Sequence, residues 1–165
     1  MKKLFCLLFL LPVLVSCSDG LKGDPFSPFL LSSKADVTLT LNGNSSKFTF
    51  TPIADEICFN EPEELLGYKM FQKDGKIYIS YSDLSVLVSE SAGIILLLTE
   101  DVFSSAFEDV LNVKAEDSGG QSITVVETEN YLYKFSSDGM PISVTGVFDG
   151  QVFEMTFSEF LTEQP

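Results

Sequence analysis

The chain has 165 residues with 10 Lys, 24 acidic residues and no Arg, His or Trp, a net charge of -14. That length makes one domain, and the missing residues exclude Ser-His-Asp and Cys-His nucleophile systems, imidazole metal sites and guanidinium forks for phosphate. The acidity argues against a nucleic-acid partner, whose affinity rests on neutralised phosphates, while 45% hydrophobic residues are too many for an acidic disordered tail and point to a folded domain that is not an enzyme.

Met1-Lys2-Lys3 is a positive n-region, and Leu4 to Val15 is an apolar run broken only by Pro12. Its length suits a signal peptide and falls short of a membrane span. Leu14-Val15-Ser16-Cys17 follows and resembles the lipobox of bacterial lipoprotein signals. The resemblance implies a signal peptide over 1–16, a diacylglycerol on Cys17 as the new N-terminus, and a lipidated tether over 17–34. It also implies an extracytoplasmic protein held on the cell membrane or outer membrane by its lipid. Two or three acyl chains anchor stably where one does not. Ser18, in place of Asp, permits outer-membrane sorting where a second membrane exists. Loss of Lys2 and Lys3 leaves 8 Lys against 24 acids, or -16, so the body is repelled by an anionic lipid surface. With Cys6 removed and Cys17 acylated, Cys58 stands alone; no intramolecular disulfide is expected, and it is read as a small residue packed in or beside a strand.

Phe26, Phe29, Leu30 and Leu31, behind Pro25 and Pro28, read as a helical turn that docks on the body. Period-two alternation begins at Ala35. Val37, Leu39 and Leu41 alternate with Thr38 and Thr40, Asn42-Gly43 marks a turn, and Phe48 and Phe50 form the second arm of a hairpin. Ile57 and Phe59 share one face of a third strand, with Glu56 and Cys58 on the other. Pro62 and Gly67 bracket a helical turn. Tyr68 to Gln72 and Lys76 to Tyr81 are strands joined through Asp74-Gly75. Leu84, Val86 and Val88 fit either a further strand or a loop, and periodicity leaves Ile94 to Leu98 unassigned.

Thr99 reads as a helix N-cap, and Val102, Phe103, Ala106, Phe107, Val110 and Leu111 recur at helical spacing. The expected helix runs from Glu100 to Asn112. Gln121 to Thr128, Tyr131 to Ser136, Pro141 to Phe148 and Gln151 to Phe157 are further strands, with Asp138-Gly139 and Asp149-Gly150 between the later ones. Short turns demand antiparallel neighbours, and twist curls a long meander. The expected fold is mainly β: a curled antiparallel half-barrel over residues 35–165 with one main helix.

Several phrases point the same way. These are Phe59-Asn60-Glu61-Pro62 with Leu65-Leu66-Gly67, Asp74-Gly75-Lys76-Ile77-Tyr78-Ile79-Ser80-Tyr81, and a tail from Asp138-Gly139-Met140-Pro141 to Met155-Thr156-Phe157-Ser158-Glu159-Phe160. With the acylated Cys, the chain resembles the superfamily of bacterial lipoprotein carriers and their outer-membrane receptors (LolA/LolB-like), and more narrowly lipoproteins of that shape from Clostridia-type bacteria. The resemblance implies an open half-barrel whose concave apolar face holds acyl chains under helices. The carriers tie those helices down with an Arg that this chain lacks. The receptors' protruding apolar loop has no clear counterpart here, and Ile94 to Leu98 is a weak candidate for it.

Fifteen Phe and five Tyr are many for one small domain. The apolar-ligand candidates are Leu39, Phe50, Ile79, Tyr81, Phe103, Phe107, Tyr133, Phe135, Met155 and Phe157. The bland alternative is that these rows are ordinary core, since a one-sided sheet needs an apolar face anyway. The expected partners are the membrane, through the N-terminal lipid, and a lipid or acyl ligand, with no protein partner named. The alternative function is a cell-envelope interaction module with a solid core and an acidic surface, carried by Glu61, Glu63, Glu64, Glu127 and Glu129. No P-loop, G-x-S-x-G, H-E-x-x-H, CxxC or calcium-loop pattern occurs, so no cofactor or metal is expected.

Overall fold

A computed structural model of the chain describes residues 29, 32–104 and 110–162. Its strands are β1 (Ser32–Leu41), β2 (Asn44–Thr51), β3 (Glu56–Glu61), β4 (Lys69–Lys73), β5 (Lys76–Tyr81) and β6 (Leu84–Leu87). After the helix α1 (Ile94–Ser104) come β7 (Val110–Ser118), β8 (Gln121–Thr128), β9 (Tyr131–Phe135), β10 (Pro141–Phe148) and β11 (Gln151–Thr162). Three of the expected Asx-Gly turns carry positive φ at both central residues: Asn42 and Gly43 at 49° and 81°, Asp74 and Gly75 at 52° and 68°, Asp149 and Gly150 at 48° and 73°. That twist matches the strands' own, so these hairpins close without splaying.

All eleven strands form one antiparallel sheet in the order β6-β5-β4-β3-β2-β1-β11-β10-β9-β8-β7. The chain folds outward from β1 to one edge, crosses through α1 to the other edge, and folds back until β11 closes on β1. The sheet is curled, and α1 measures the curl. Gly93, just before the helix, presses on Ile77 of β5, and the Val102 carbonyl accepts a hydrogen bond from Tyr133 of β9. Those nine residues of helix rise about 14 Å. Seven strand spacings separate β5 from β9 along the sheet, about 34 Å if it were flat. Only a strongly bent sheet brings both strands to one short helix.

The sequence reading misplaced the helix. Ile94 to Leu98 is its first half, and Val110 to Asn112 belongs to β7. Thr99 is no cap: it is buried in mid-helix, where its hydroxyl donates to the Ile95 carbonyl at 2.7 Å. Leu84 to Leu87 is a strand, and with β7 it brings the sheet to eleven strands where eight or nine were expected. Of the expected N-terminal turn only Phe29 is described, and it is buried; Phe26, Leu30 and Leu31 lie outside the described residues.

Gly146 of β10 lies across from Tyr131. A Cβ there would sit 2.5 Å from Tyr131 Cδ1 and 2.7 Å from the Asn130 carbonyl oxygen. The carbonyl is backbone and cannot swing aside, so β9 must move. Gly146→Ala is expected to destabilise the fold by about 1–3 kcal/mol, the range for overpacking. Urea unfolding followed by circular dichroism checks it, and an unchanged midpoint contradicts the close packing.

Candidate apolar-ligand face

Directly opposed residues of antiparallel neighbours share a face, so the register defines rows across the sheet. One row runs Val86, Ile79, Met70, Ile57, Phe50, Ala35 from β6 to β1. Another runs Leu39, Met155, Val144, Tyr133, Val126, Val113 from β1 to β7. The middle of each row is buried, but the outermost members are open: Val86 is 62% exposed and Val113 53%. The apolar face therefore continues beyond its cover at both ends.

The cover is α1 with Phe29. Phe103 of the helix meets the Phe50 ring at 4.8 Å and Phe29 at 5.1 Å between centroids. Phe29 in turn contacts Tyr133, Phe135, Phe157 and Phe160 edge to face. Such contacts between interlocking rings fill the middle of the concave face with side chains. Two tyrosines bond the end of the helix to β9: the Tyr133 hydroxyl donates to the Val102 carbonyl at 3.1 Å, and the Tyr131 hydroxyl donates to Asp101 Oδ2. Burial raises both phenol pKa values above the ordinary tyrosine range.

The ten ligand candidates therefore fall into groups. Leu39, Phe50, Phe103, Tyr133, Phe135 and Met155 are buried among one another, and Phe157 is partly buried beside them. Ile79 is partly buried, and Tyr81 is 51% exposed. Phe107 lies outside the described residues. Ile79 and Tyr81 belong to the stretch that the helix leaves uncovered. There the Tyr81 ring stacks on Tyr68 at 4.6 Å, and Leu84, across from Tyr81, is 75% exposed. Tyr68, Leu84 and Val86 complete this face and were not among the sequence candidates. Their signal was alternation: Leu84 and Val86 repeat the period of Ile79 and Tyr81 across the two-residue turn Ser82-Asp83.

A cleft of about 320 Å³ opens beside this face, lined by Ile77, Leu87, Val88 and Leu97, with Gln72, Lys76 and Glu90 at polar positions. That volume lies at the low end of the roughly 300–1,000 Å³ of small-molecule sites. Ile77 and Ile79 are successive residues on one face of β5, so cleft and open face adjoin. The convex side is mixed: Leu87, Val147 and Val152 are exposed on it beside charged residues. Lys47–Glu61 at 2.8 Å, Lys69–Glu56 at 2.9 Å and Lys114–Glu116 at 2.7 Å are largely solvated ion pairs. They contribute little to stability. Cys58 is half-buried there, across from Thr49 and Lys69.

Glu100 is the one charge of α1 that the packing disfavours. Its Oε1 is buried with no hydrogen-bond partner. Desolvation, reinforced by the nearby Asp55 carboxylate, pushes the Glu100 carboxyl up to about 7. No group of three or more potential metal ligands occurs among the described residues.

No protein-family model matches the sequence, and no curated protein matches it. Solved structures of similar shape include lipoprotein LppX of Mycobacterium tuberculosis, 11% identical with a TM-score of 0.47, covering 86% of this chain and 93% of that one. LprF of Mycobacterium bovis is 12% identical with a TM-score of 0.45, covering 86% and 91%. A LolA superfamily protein of Nitrosomonas europaea is 9% identical with a TM-score of 0.36, covering 80% and 85%.

Because the folded pKa of Glu100 lies above its unfolded value, the folded state favours the protonated form. Full stability holds below the unfolded pKa near 4.5 and declines as pH rises through about 7. Glu100→Gln removes that decline. It is expected to raise stability at pH 8 by about 1 kcal/mol, allowing for solvent screening of a half-exposed group, and to change little at pH 4. Thermal unfolding at the two pH values checks it; an equal effect at both contradicts the titration.

Proposed function

We propose that the protein is a lipid-anchored extracytoplasmic lipoprotein that holds an apolar ligand, an acyl chain by its chemistry, on the uncovered concave face of β5 and β6. One observation carries this reading: the apolar face that is buried under α1 continues through the partly buried Ile79 to the exposed Tyr81, Leu84 and Val86. A sheet face that only needed a core would turn polar where its cover ends. The acyl chain lies against these residues, with one end in the adjoining cleft. Lys76, at the cleft's polar side, suits an anionic headgroup. The sealed centre, from Phe50 to Met155, acts as scaffold. The body, which includes the buried Phe29 and begins its sheet at Ser32, is tethered from an acylated Cys17, after removal of 1–16, to the cell membrane or outer membrane.

Two measurements test this. A fluorescent fatty acid is expected to bind the full chain in detergent-free buffer. The pair Tyr81→Asp and Val86→Asp is expected to weaken it at least tenfold while a cooperative thermal transition is retained, because neither side chain belongs to the buried core. Binding that survives both substitutions places the ligand elsewhere. Separately, Cys17→Ser is expected to abolish incorporation of radiolabelled palmitate and to move the chain from the membrane to the soluble fraction. Membrane retention without label contradicts the anchor.

A further inference from the structure

The open sheet ends in two edge strands, and they are protected unequally. β7 carries Lys114, Glu116 and Asp117 and a register break between Val110 and Asn112. Charge and irregularity keep an edge from pairing with another chain. β6 has neither: Leu84-Ser85-Val86-Leu87 contains no charge or Pro and pairs with β5 in unbroken register. Its side chains are apolar on both faces, with Leu84 and Val86 on the concave side and Leu87, across from Tyr78 and 55% exposed, on the convex side. Among the described residues no strand lies beyond it.

We propose that β6 pairs antiparallel with β6 of a second copy of this chain. The hydrogen-bond parity permits it. Val88 N–H donates to the Ile77 carbonyl at 3.0 Å, so Leu84, Val86 and Val88 spend their backbone groups on β5. Ser85 and Leu87 therefore point their N–H and C=O groups outward. A two-fold axis through Val86 sets Ser85 against Leu87 of the other copy and Leu87 against its Ser85, and both pairs exchange hydrogen bonds. Val86 then meets Val86 in a close, non-hydrogen-bonded pair. Charge selects this edge and this register. Each copy carries a net -14, and Leu84 to Val88 is a stretch free of charge. In this register Asp83 faces Ser89, so no carboxylate opposes another.

The two-fold is perpendicular to the sheet, so both concave faces open on the same side. The contact is one four-residue strand from each copy, with Leu84, Val86 and Leu87 at its centre. The dimer is accordingly small and reversible. It does not depend on the ligand reading.

Disulfide trapping in intact bacterial cells expressing the full chain tests the pairing. Under mild oxidation Val86→Cys is expected to give an interchain disulfide dimer on non-reducing gels, because opposed non-hydrogen-bonded residues lie about 4.5 Å apart at Cα. Val113→Cys, at the other edge, is expected to stay at the wild-type background. Adding Leu87→Lys is expected to cut the Val86→Cys dimer at least tenfold. All three positions are exposed, so folding is preserved. Equal trapping at Val86 and Val113, or trapping indifferent to Leu87→Lys, would falsify the proposal. So would a Val86→Cys thiol that stays monomeric yet is shielded from a membrane-impermeant maleimide; that result assigns the edge to a lipid surface or another protein. Fatty-acid uptake by the unsubstituted chain, read beside the Val86→Cys trapping, separates the two readings. Uptake retained without dimer sinks the pairing alone, and dimer without uptake sinks the ligand alone.

Discussion

The structure depends on one mismatch of lengths. An eleven-residue helix is about 16 Å long, whereas eleven strands span about 48 Å across a flat sheet. The sheet curls until the helix becomes a chord across its hollow, with Ile77 at one end and Tyr133 at the other. Inside the chord, side chains from both elements interlock and exclude water. Outside it, β6 and β7 project with no helix above them among the described residues. Burial follows this geometry: every residue of β6 and β7 is exposed, while β1, β2, β9 and β11 carry fully buried rows. The uncovered face is therefore not an accident of composition. It follows from how far one helix reaches.

Topology explains why the helix runs across the sheet. β1 and β11 pair in the centre, although 116 residues separate partners such as Leu39 and Met155, so the first and last described strands meet in the middle of the sheet. β6 and β7 become the two edges, and the segment joining them must cross the concave side. A segment with that path has to be apolar on the face it lays down. Leu96, Val102 and Phe103 meet that need, and the alternation of β1, β2 and β11 supplies the opposing surface.

This also explains what could be read from the sequence. Strands with one buried face showed themselves by period two, and tight turns by Asn42-Gly43, Asp74-Gly75 and Asp149-Gly150, because those residues accept positive φ. The helix boundaries did not show. Ile94 to Leu98 is an unbroken apolar run, in which periodicity has nothing to contrast. Val110 and Leu111 fall by coincidence at helical spacing after Phe103, and β7 offers no alternation against that reading because neither of its faces is buried. Thr99 resembled a cap because Glu100 and Asp101 follow it, but the helix begins at Ile94 and its hydroxyl donates to the Ile95 carbonyl one turn back. The ligand face was half legible for a similar reason. Large apolar side chains can be picked out of a sequence, but whether Tyr133 is covered and Tyr81 open depends on where a distant helix ends.

The helix is also held unevenly along its length. Its last turn has directional bonds, from Tyr133 to the Val102 carbonyl and from Tyr131 to Asp101. Its middle bears Glu100, whose buried oxygen lacks a partner and whose charge faces Asp55. Its first turn rests on β5 through the contact of Gly93 with Ile77, which is dispersion and apolar burial alone. Van der Waals contact tolerates small shifts in a way that a pair of tyrosine hydrogen bonds does not. Any adjustment of the helix to an apolar guest is therefore easiest at its beginning. That is the end beside the cleft and the open face of β5, so the least tightly held part of the cover borders the part of the sheet that has none.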